Sequence, residues 1–472
     1  MTRSKERPRT VFVCQDCGYE SPKWLGFCPS PSCRSGQPLV EMTPARASSP
    51  HPSWMPAEHG DVPELSSLDA GGQPRIELPC QELNRVLGGG IVPGSVVLVA
   101  GEPGVGKSTL LLQVAQYMSS TGRAVLYVSG EESPQQIKLR AERLGFPGQG
   151  TFLLSETDVD VVIEKLEEKR PALAILDSIQ TLYCQDVPSG AGSVVQIREA
   201  GLRLIRWAKA RNVPVFLAGH VTKDGNVAGP RVLEHMVDVV LYLESQEFGT
   251  FRVLRSAKNR FGSTAEVGVF EMTGQGLAEV TDPSKVLLSQ RYEEAVGAAL
   301  VPVVEGSRPL MLEVQALTSP SQLPAPRRVA NGVDFNRLLM LTTVASRRAG
   351  LDLSGQDIVV SVAGGLRINE PAADLAVVLA IASSLKNRPL NSNMVAFGEV
   401  GLSGELRAVP QAQRRVAEAA RLGLTRCVLP QTSLDGLDRP PGVEFLPVRT
   451  LRQAFAVALP GSKSRREALA ED

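Results

Sequence analysis

The residues best suited to chemistry lie at 101–109, where GEPGVGKST matches the phosphate-loop pattern G-x-x-x-x-G-K-[ST]. The motif follows an apolar, β-branched run at 95–100 and precedes a helical pattern at 107–120, which is the context that it requires. Glycines let backbone N–H groups surround phosphates, and the helix N-terminus adds the positive end of a dipole. We expect nucleotide contacts from this loop and one later carboxylate: Gly101, Glu102, Pro103, Gly104, Val105, Gly106, Lys107, Ser108, Thr109 and Asp177.

Carboxylates at two other strand ends complete a hydrolytic site. Lys107 is expected to reach the β- and γ-phosphates, Ser108 to bind Mg²⁺, and Asp177, which ends the run ALAILD, to hold the water shell of that ion. Hydrolysis also needs a group that orients water, and Glu131 follows the strand pattern AVLYVS. Glu132 is the alternative, and both residues also suit the acidic first turn of the next helix. The expected cofactors are therefore ATP and Mg²⁺.

A second chemical unit lies near the N-terminus, where four cysteines have the spacing C-x2-C-x10-C-x4-C. Four thiolates in two knuckles suit tetrahedral Zn²⁺, and a unit with little core needs a metal to fold. Two disulfides are the less favoured alternative. Trp24 and Phe27 lie between the knuckles, where we expect them to pack the small core rather than stack on bases or dock a partner. The expected zinc ligands are Cys14, Cys17, Cys28 and Cys33.

The fold class that positions these residues is α/β. From 76 to 282, short β-branched runs alternate with helical stretches, which is typical of a mostly parallel sheet with crossover helices. A zinc-binding unit at 10–41 and a Pro/Ser/Gly-rich linker at 42–75 precede this block. A second α+β domain is expected at 283–460, followed by a charged tail at 461–472.

Composition excludes several classes of protein. Fifty basic and fifty acidic residues give no net charge, so any nucleic-acid binding must come from a local cluster, a ring of subunits or a bound ion. The apolar stretches are too short to cross a membrane, and the charged N-terminus is not followed by the apolar segment of a secretory signal. Seven cysteines in 472 residues do not make a disulfide framework. We therefore expect a cytoplasmic protein with no membrane association.

Basic residues concentrate at 248–265, where Arg252, Arg255, Lys258 and Arg260 occur without an acidic residue. Such density in a neutral chain favours an anion site over a solvated basic strand. Gly262 is expected to permit the turn after this strand.

The sequence resembles the bacterial RadA (Sms) DNA-repair ATPases, which are relatives of the RecA recombinases. The likeness covers nearly the whole chain, and KNRFG (258–262) together with the cysteine unit makes it specific. The other segments that carry it are RVLGGGIVPGS (85–95), GEPGVGKSTLL (101–111), YVSGEES (127–133), LDSIQT (176–181), HVTKDG (220–225) and LEHMVD (233–238).

The resemblance implies residue roles. Glu131 matches the water-orienting glutamate, and His220 matches the position that senses the γ-phosphate and relays to the DNA loops. Lys258 and Arg260 match cations that reach the nucleotide of a neighbouring subunit, like an arginine finger, or touch DNA. The loops 185–194 and 222–231 match segments that contact single-stranded DNA, although each has few cations, and a ring would multiply them.

The C-terminal block resembles the proteolytic domain of Lon proteases. That domain uses a Ser–Lys dyad, but Ala372 stands at the serine position and Gln413 at the lysine position. Peptide hydrolysis is therefore not expected, and the block is interpreted as a scaffold that closes rings.

By resemblance, the chain is a DNA-stimulated, Mg²⁺-dependent ATPase that forms a ring, expected to be a hexamer, around single-stranded DNA. It would drive branch migration or processing of recombination intermediates, act on branched DNA and cooperate with the RecA recombinase. One alternative is a RecA-fold signalling ATPase that binds protein partners. Another, which the missing dyad disfavours, is an ATP-dependent protease.

Overall fold

The structure is a computed structural model. It describes residues 11–14, 19–29, 33, 38–42, 64, 66, 74–220, 229–245, 251–289, 291, 292 and 294–459. The chain divides into two compact units, the first comprising residues up to 245 with 251–279, and the second comprising 246–250 with the residues from 280 onward.

Near the N-terminus, three short strands form an antiparallel sheet in the order β2-β1-β3. These strands are β1 (Val11–Val13), β2 (Glu20–Ser21) and β3 (Val40–Met42). Cys14, Cys28 and Leu39 form the small buried cluster beside them.

The remainder of the first unit alternates strands and helices before it ends in antiparallel strands. In chain order, its described elements are α1 (Gln81–Leu87), β4 (Val96–Gly101), α2 (Lys107–Ser120), β5 (Val125–Ser129), α3 (Pro134–Arg143), β6 (Thr151–Ser155), α4 (Val159–Lys169), β7 (Leu173–Asp177), α5 (Val194–Arg211), β8 (Val215–His220), α6 (Gly229–Glu234), β9 (Val239–Ser245), β10 (Phe251–Asn259), β11 (Val267–Thr273) and β12 (Gly276–Glu279).

These strands form one nine-stranded sheet in the order β12-β11-β10-β9-β4-β8-β7-β5-β6. The strands β9, β4, β8, β7, β5 and β6 are parallel, while β10, β11 and β12 are joined antiparallel. Strands β4, β5 and β7 are buried on both faces, as their continuous apolar runs predict. One apolar cluster covers the face with α1, α2 and α3, and another covers the face with α4 and α5.

Local signals explain where the crossover helices begin and end. Helix α3 begins with a capping box, in which Ser133 and Gln136 satisfy each other's backbone N–H groups, and Pro134 occupies its first turn. Helix α5 is also capped by a serine, since the hydroxyl of Ser193 accepts a hydrogen bond from the N–H of Gln196. Asn212 ends α5 in the left-handed conformation.

The second unit is a mixed α/β domain built around a seven-stranded sheet in the order β15-β16-β14-β13-β17-β20-β21. Its described elements are α7 (Pro283–Leu288), β13 (Ala298–Glu305), β14 (Arg308–Pro320), β15 (Arg328–Asn331), α8 (Phe335–Ala349), β16 (Gln356–Val362), α9 (Asp374–Lys386), β17 (Met394–Ala396), β18 (Glu399–Val400), β19 (Leu406–Arg407), α10 (Ala412–Arg421), β20 (Arg426–Pro430), β21 (Glu444–Val448) and α11 (Leu451–Ala458). Helix α9 is buried along most of its length and forms the centre of the main apolar cluster.

The fold class predicted from the sequence is confirmed, including the mostly parallel sheet of the core and the mixed C-terminal domain. In the part of the chain that the structure describes, no helix is both long and apolar enough to span a membrane.

Candidate active site

The carboxyl ends of four parallel strands bring the predicted hydrolytic residues to one edge of the sheet. Gly101 at the end of β4 pairs with His220 at the end of β8, and Ser129 at the end of β5 pairs with Asp177 at the end of β7. Strands β8 and β7 are direct neighbours. The edge therefore carries the phosphate loop and the candidate metal-binding and water-orienting groups side by side, where an α/β sheet binds its ligands.

The phosphate loop connects β4 to α2 without an intervening side-chain cap. Gly106 precedes the helix with φ of 115°, a conformation that a residue with a Cβ adopts only under strain. The first N–H groups of α2 have no acceptor within the helix, and together with the helix dipole they suit a phosphate group. The loop therefore fits a nucleotide both in conformation and in its hydrogen-bond donors.

Lys107 lies inside this loop, and its side-chain nitrogen donates to the carbonyl oxygens of Gly101 and Glu102, each at 2.9 Å. The residue is 4% exposed. Burial lowers the pKa of the Lys107 ammonium, and the negative charges of Asp177 and Glu131 oppose that shift. The ammonium thus lies at the loop, within the electrostatic influence of both candidate carboxylates.

Asp177 is held in place by a buried phenol. The hydroxyl of Tyr127, on the neighbouring strand β5, donates to one carboxylate oxygen of Asp177 at 2.7 Å. Burial and this carboxylate raise the pKa of Tyr127 well above its usual value, so the phenol remains a donor. Tyr127 therefore positions the carboxylate expected to hold the Mg²⁺ water shell, a role that the sequence analysis missed.

The two adjacent glutamates after β5 have different surroundings. Glu131 accepts from the hydroxyl of Ser178 at 2.5 Å and lies 3.5 Å from Nε2 of His220. Glu132 forms an ion pair with Arg140 on α3. Glu131 therefore faces the strand ends that carry the phosphate loop, whereas Glu132 is bound to the following helix. This arrangement supports Glu131 as the candidate base, as proposed from the sequence.

His220 is linked to both the candidate base and the segment after β7. Its Nε2 faces Glu131, and its backbone carbonyl accepts from the side-chain amide of Gln180 at 3.3 Å. Among the described residues, Nδ1 of His220 and Oε1 of Gln180 are buried atoms without a hydrogen-bond partner. These atoms therefore have unused hydrogen-bonding capacity at the site.

Within one chain, the basic run on β10 does not form a single cluster, and the expectation that it marks an anion site stays a prediction. Arg252, at the start of the strand, donates from Nε to the carbonyl of Val105 in the phosphate loop at 3.2 Å. Arg255 forms an ion pair with Glu244 at 2.9 Å. Lys258 is six residues beyond Arg252, or about 20 Å along an extended strand. Because β10 is antiparallel to β9, it carries the cations at its two ends to opposite edges of the sheet.

Lys258 and Arg260 lie at the edge away from the phosphate loop of the same chain. The side-chain nitrogen of Lys258 donates to the carbonyls of Glu234 and His235 at 2.8 and 3.1 Å. Burial and the adjacent Arg260 lower the pKa of Lys258. Arg260 pairs with Asp238 at 3.1 Å, just before the amino end of β9. Neither cation is placed to reach a nucleotide in its own subunit.

The turn after Lys258 packs against the glycine turn that follows α1. A Cβ added at Gly262 would lie 2.9 Å from the Cα of Gly88, so close backbone approach requires glycine at position 262. Gly262 therefore permits this turn through close backbone approach and not through a positive φ. Arg75 joins the two turns, since it donates to the carbonyls of Gly88 and Phe261.

The first candidate DNA loop, 185–194, is anchored by the buried side chain of Gln196. Its amide nitrogen donates to the carbonyls of Cys184, Val187 and Ser189, and its oxygen accepts from the N–H of Cys184. Asp186 in the loop pairs with Arg203 on α5. The second candidate loop lies mostly outside the described residues, since 221–228 are not described.

The cysteine unit places three of the four predicted ligands together. The sulfur atoms of Cys14, Cys28 and Cys33 lie within 4.8 Å of one another, while Cys17 lies outside the described residues. This spacing and the all-thiolate donor set fit a zinc ion.

Trp24 is 60% exposed and Phe27 is 68% exposed, so the expectation that they pack the small core is wrong. Cys14, Cys28 and Leu39 form that core instead.

In the second unit, the two positions that match the Lon dyad are occupied by Ala372 and Gln413. Ala372 is 1% exposed and precedes α9, whereas the side chain of Gln413 exchanges hydrogen bonds with the backbone of Asp438. Glu370, two residues before Ala372, forms a two-point ion pair with the buried Arg415. The region is thus occupied by structural hydrogen bonds.

Comparisons with known proteins show which families and chains this sequence is similar to. A protein-family model described as an AAA domain matches residues 63–226, and a model described as subunit ChlI of Mg-chelatase matches residues 340–433. The DNA repair protein RadA of Bacillus subtilis (strain 168) is 45% identical over 459 residues, which are 96% of this chain and 100% of that protein. RadA of Listeria monocytogenes is 45% identical over 457 residues, with 97% and 100% covered. The crystal structure of the RadB recombinase is 26% identical, covers 43% of this chain and 98% of that chain, and has a TM-score of 0.34.

Proposed function

Because this chain belongs to the RadA family of DNA repair proteins, we propose that it is a DNA-stimulated, Mg²⁺-dependent ATP hydrolase acting on recombination intermediates. The observation that carries the proposal is the meeting of Lys107, Asp177 and Glu131 at one edge of the sheet, with Lys107 in a phosphate loop.

Each of these residues has a distinct role in the proposed reaction. The loop N–H groups and Lys107 bind the phosphates, and Ser108 and Asp177 hold Mg²⁺, which when bound neutralises phosphate charge. Glu131 orients the attacking water and accepts its proton, and the hydroxyl of Ser178 holds one oxygen of that carboxylate. His220, beside Glu131 and at the start of the second candidate DNA loop, relays the state of the site to DNA.

A neighbouring subunit is proposed to supply a further positive group to the site. In their own chain, Lys258 and Arg260 lie at the opposite edge of the sheet, where Lys258 donates to a carbonyl at the end of α6 and Arg260 pairs with Asp238. A ring, proposed to be a hexamer, places this edge of one subunit beside the phosphate loop of the next. Hydrolysis then depends on subunit alignment, and alignment depends on the DNA held in the channel.

DNA contact is proposed for the loops 185–194 and 222–231. The hydrogen bonds of Gln196 give the first loop a defined shape, which lowers the entropic cost of ordering it on DNA. Single-stranded and branched DNA are the proposed substrates, the RecA recombinase is a proposed partner, and branch migration is the proposed outcome. The cysteine unit is proposed to hold Zn²⁺ through Cys14, Cys17, Cys28 and Cys33.

Steady-state ATP hydrolysis by the full chain, with and without a long single-stranded oligonucleotide, tests the proposal. Clear stimulation by DNA that is lost in Lys107→Ala would place DNA in the catalytic cycle. Hydrolysis that depends on Lys107 but does not respond to DNA would refute the motor proposal and favour a signalling-type ATPase. Hydrolysis that persists in Lys107→Ala would show that the activity arises elsewhere.

A further inference from the structure

Arg252 is a cation of the nucleotide site that neither the phosphate-loop motif nor the KNRFG motif contains. Arg252 is the second residue of β10, and its side chain is partly buried beside the phosphate loop. Its Nε donates to the carbonyl oxygen of Val105 at 3.2 Å, across 147 residues of sequence. Its Nη1 donates to the carbonyl of Phe251 at 2.9 Å. Two backbone carbonyls therefore fix the plane of this guanidinium.

The carbonyl that Arg252 holds belongs to the peptide group between Val105 and Gly106. A trans peptide is planar, so its N–H points away from the direction of its C=O. With the Val105 carbonyl held towards β10, the N–H of Gly106 is directed away from β10. Gly106 immediately precedes α2, where the unpaired N–H groups that suit phosphate begin.

The preceding peptide of the loop, Gly104–Val105, is also held by a hydrogen bond. The N–H of Val105 donates to the carbonyl of Glu102 at 3.4 Å, and the Val105 side chain is 4% exposed. Gly106, with φ of 115°, has no side chain to restrict rotation of this peptide. The Arg252 contact therefore supplies a restraint next to a glycine of the loop.

We propose that Arg252 is a positioning residue that orients the Val105–Gly106 peptide for binding the phosphates of nucleoside diphosphates and triphosphates. This inference rests on the proposed nucleotide site and extends it. An arginine is suited to the role, because its rigid fork donates in two directions at once, whereas a lysine offers a single mobile ammonium.

Equilibrium binding of fluorescent ADP and of a non-hydrolysable ATP analogue to the full chain, with Mg²⁺ and without DNA, tests the inference. Arg252→Gln is expected to weaken both nucleotides about 10- to 100-fold, the loss expected of one hydrogen bond with a charged donor. Arg252→Lys is expected to restore part of the affinity. Arg211→Gln is a matched control, because Arg211 pairs with Glu167 on the surface, and its affinities should stay within about twofold of the wild type.

The outcomes separate the alternatives. Equal losses for the two nucleotides support loop positioning, because both carry the phosphate that the loop surrounds. A loss confined to the ATP analogue would overturn it and indicate a direct contact with the γ-phosphate. Unchanged affinities in a folded Arg252→Gln protein, even with a lowered melting temperature, would also overturn it. Lys107→Ala in the same assay tests the nucleotide site itself, so failure of the site and failure of the inference are distinguishable.

Discussion

Lys258→Ala is the substitution that most directly tests how the two edges of the sheet cooperate. Lys258 donates to carbonyls at the end of α6, on the edge away from the phosphate loop of its own chain. An extended six-residue segment separates it from Arg252, which contacts that loop, a span of about 20 Å. A lysine side chain is too short to cover that span, so we propose that its catalytic contribution acts on a neighbouring subunit.

The size of the effect follows from this geometry. Cations that act in trans on phosphoryl transfer contribute about 10³- to 10⁵-fold in rate, so Lys258→Ala alone should be nearly inactive. Lys107→Ala should also be inactive, but it retains an intact Lys258. In an equal mixture of the two variants, a site works only when a Lys258→Ala subunit receives its cation from a Lys107→Ala neighbour. In rings assembled at random from an equal mixture, about half of the subunits are Lys258→Ala, and about half of these have a Lys107→Ala neighbour on the required side. About one quarter of the sites are therefore complete, so the mixture should recover about one quarter of the wild-type rate.

The assay is DNA-stimulated phosphate release from each variant, from the pre-assembled mixture and from a mixture with Lys165→Ala. Lys165 pairs with Glu168 on an exposed face, so its substitution should leave hydrolysis unchanged. Co-purification of differently tagged variants confirms that mixed assemblies form. A mixture that forms such assemblies but shows only the sum of the separate rates would refute the trans arrangement. A wild-type rate in Lys258→Ala alone would refute any catalytic role.

Four further outcomes are expected. Tyr127→Phe removes the donor to Asp177, so the Mg²⁺ concentration for half-maximal hydrolysis should rise about tenfold while the melting temperature changes little; an unchanged Mg²⁺ dependence would contradict this role. Glu131→Gln should lower the rate of ATP hydrolysis at least about 100-fold and retain ATP binding, whereas the hydrolysis rate of Glu132→Gln should stay within about twofold of the wild type. The opposite result in these turnover assays would make Glu132 the candidate base instead. Gly262→Ala should lower the free energy of unfolding by about 1–3 kcal/mol in denaturant titration, because its Cβ meets backbone rather than a flexible side chain. Elemental analysis should find one zinc per chain, and chelation should unfold the cysteine unit, as judged by loss of its protection from proteolysis.

The sequence predicted the local elements of the nucleotide site closely. The predicted helices at 107–120 and 194–211 coincide with α2 and α5, and the predicted strand at 151–155 coincides with β6. These patterns depend on periodicity, caps and glycines within a few residues, so no distant contact is needed to recognise them. The assignment of Asp177 to the edge of the sheet follows in the same way, because parallel strands share their carboxyl edge.

Other features depend on distances that sequence spacing does not contain. Four cations within nine residues favoured an anion site, but their spacing did not show that β10 places Arg252 and Lys258 at opposite edges of the sheet. Trp24 and Phe27 were expected in a core, because aromatic residues are usually buried. Among the described residues of this unit, the buried cluster consists of Cys14, Cys28 and Leu39, with Phe12, Leu25 and Cys33 packed against it, while Trp24 and Phe27 are exposed.

The sequence by itself determined the chemical types present: a phosphate loop, strand-end carboxylates, a zinc-type cysteine set and a C-terminal domain without a proteolytic dyad. Only the tertiary structure decided which groups meet, including Tyr127 with Asp177 across two strands and Arg252 with Val105 across 147 residues. The physical reason is that motifs are encoded by bonded neighbours, whereas strand order and register arise from burial of the whole sheet. The direction of β10 likewise belongs to the tertiary structure, and it places Arg252 and Lys258 at opposite edges of the sheet.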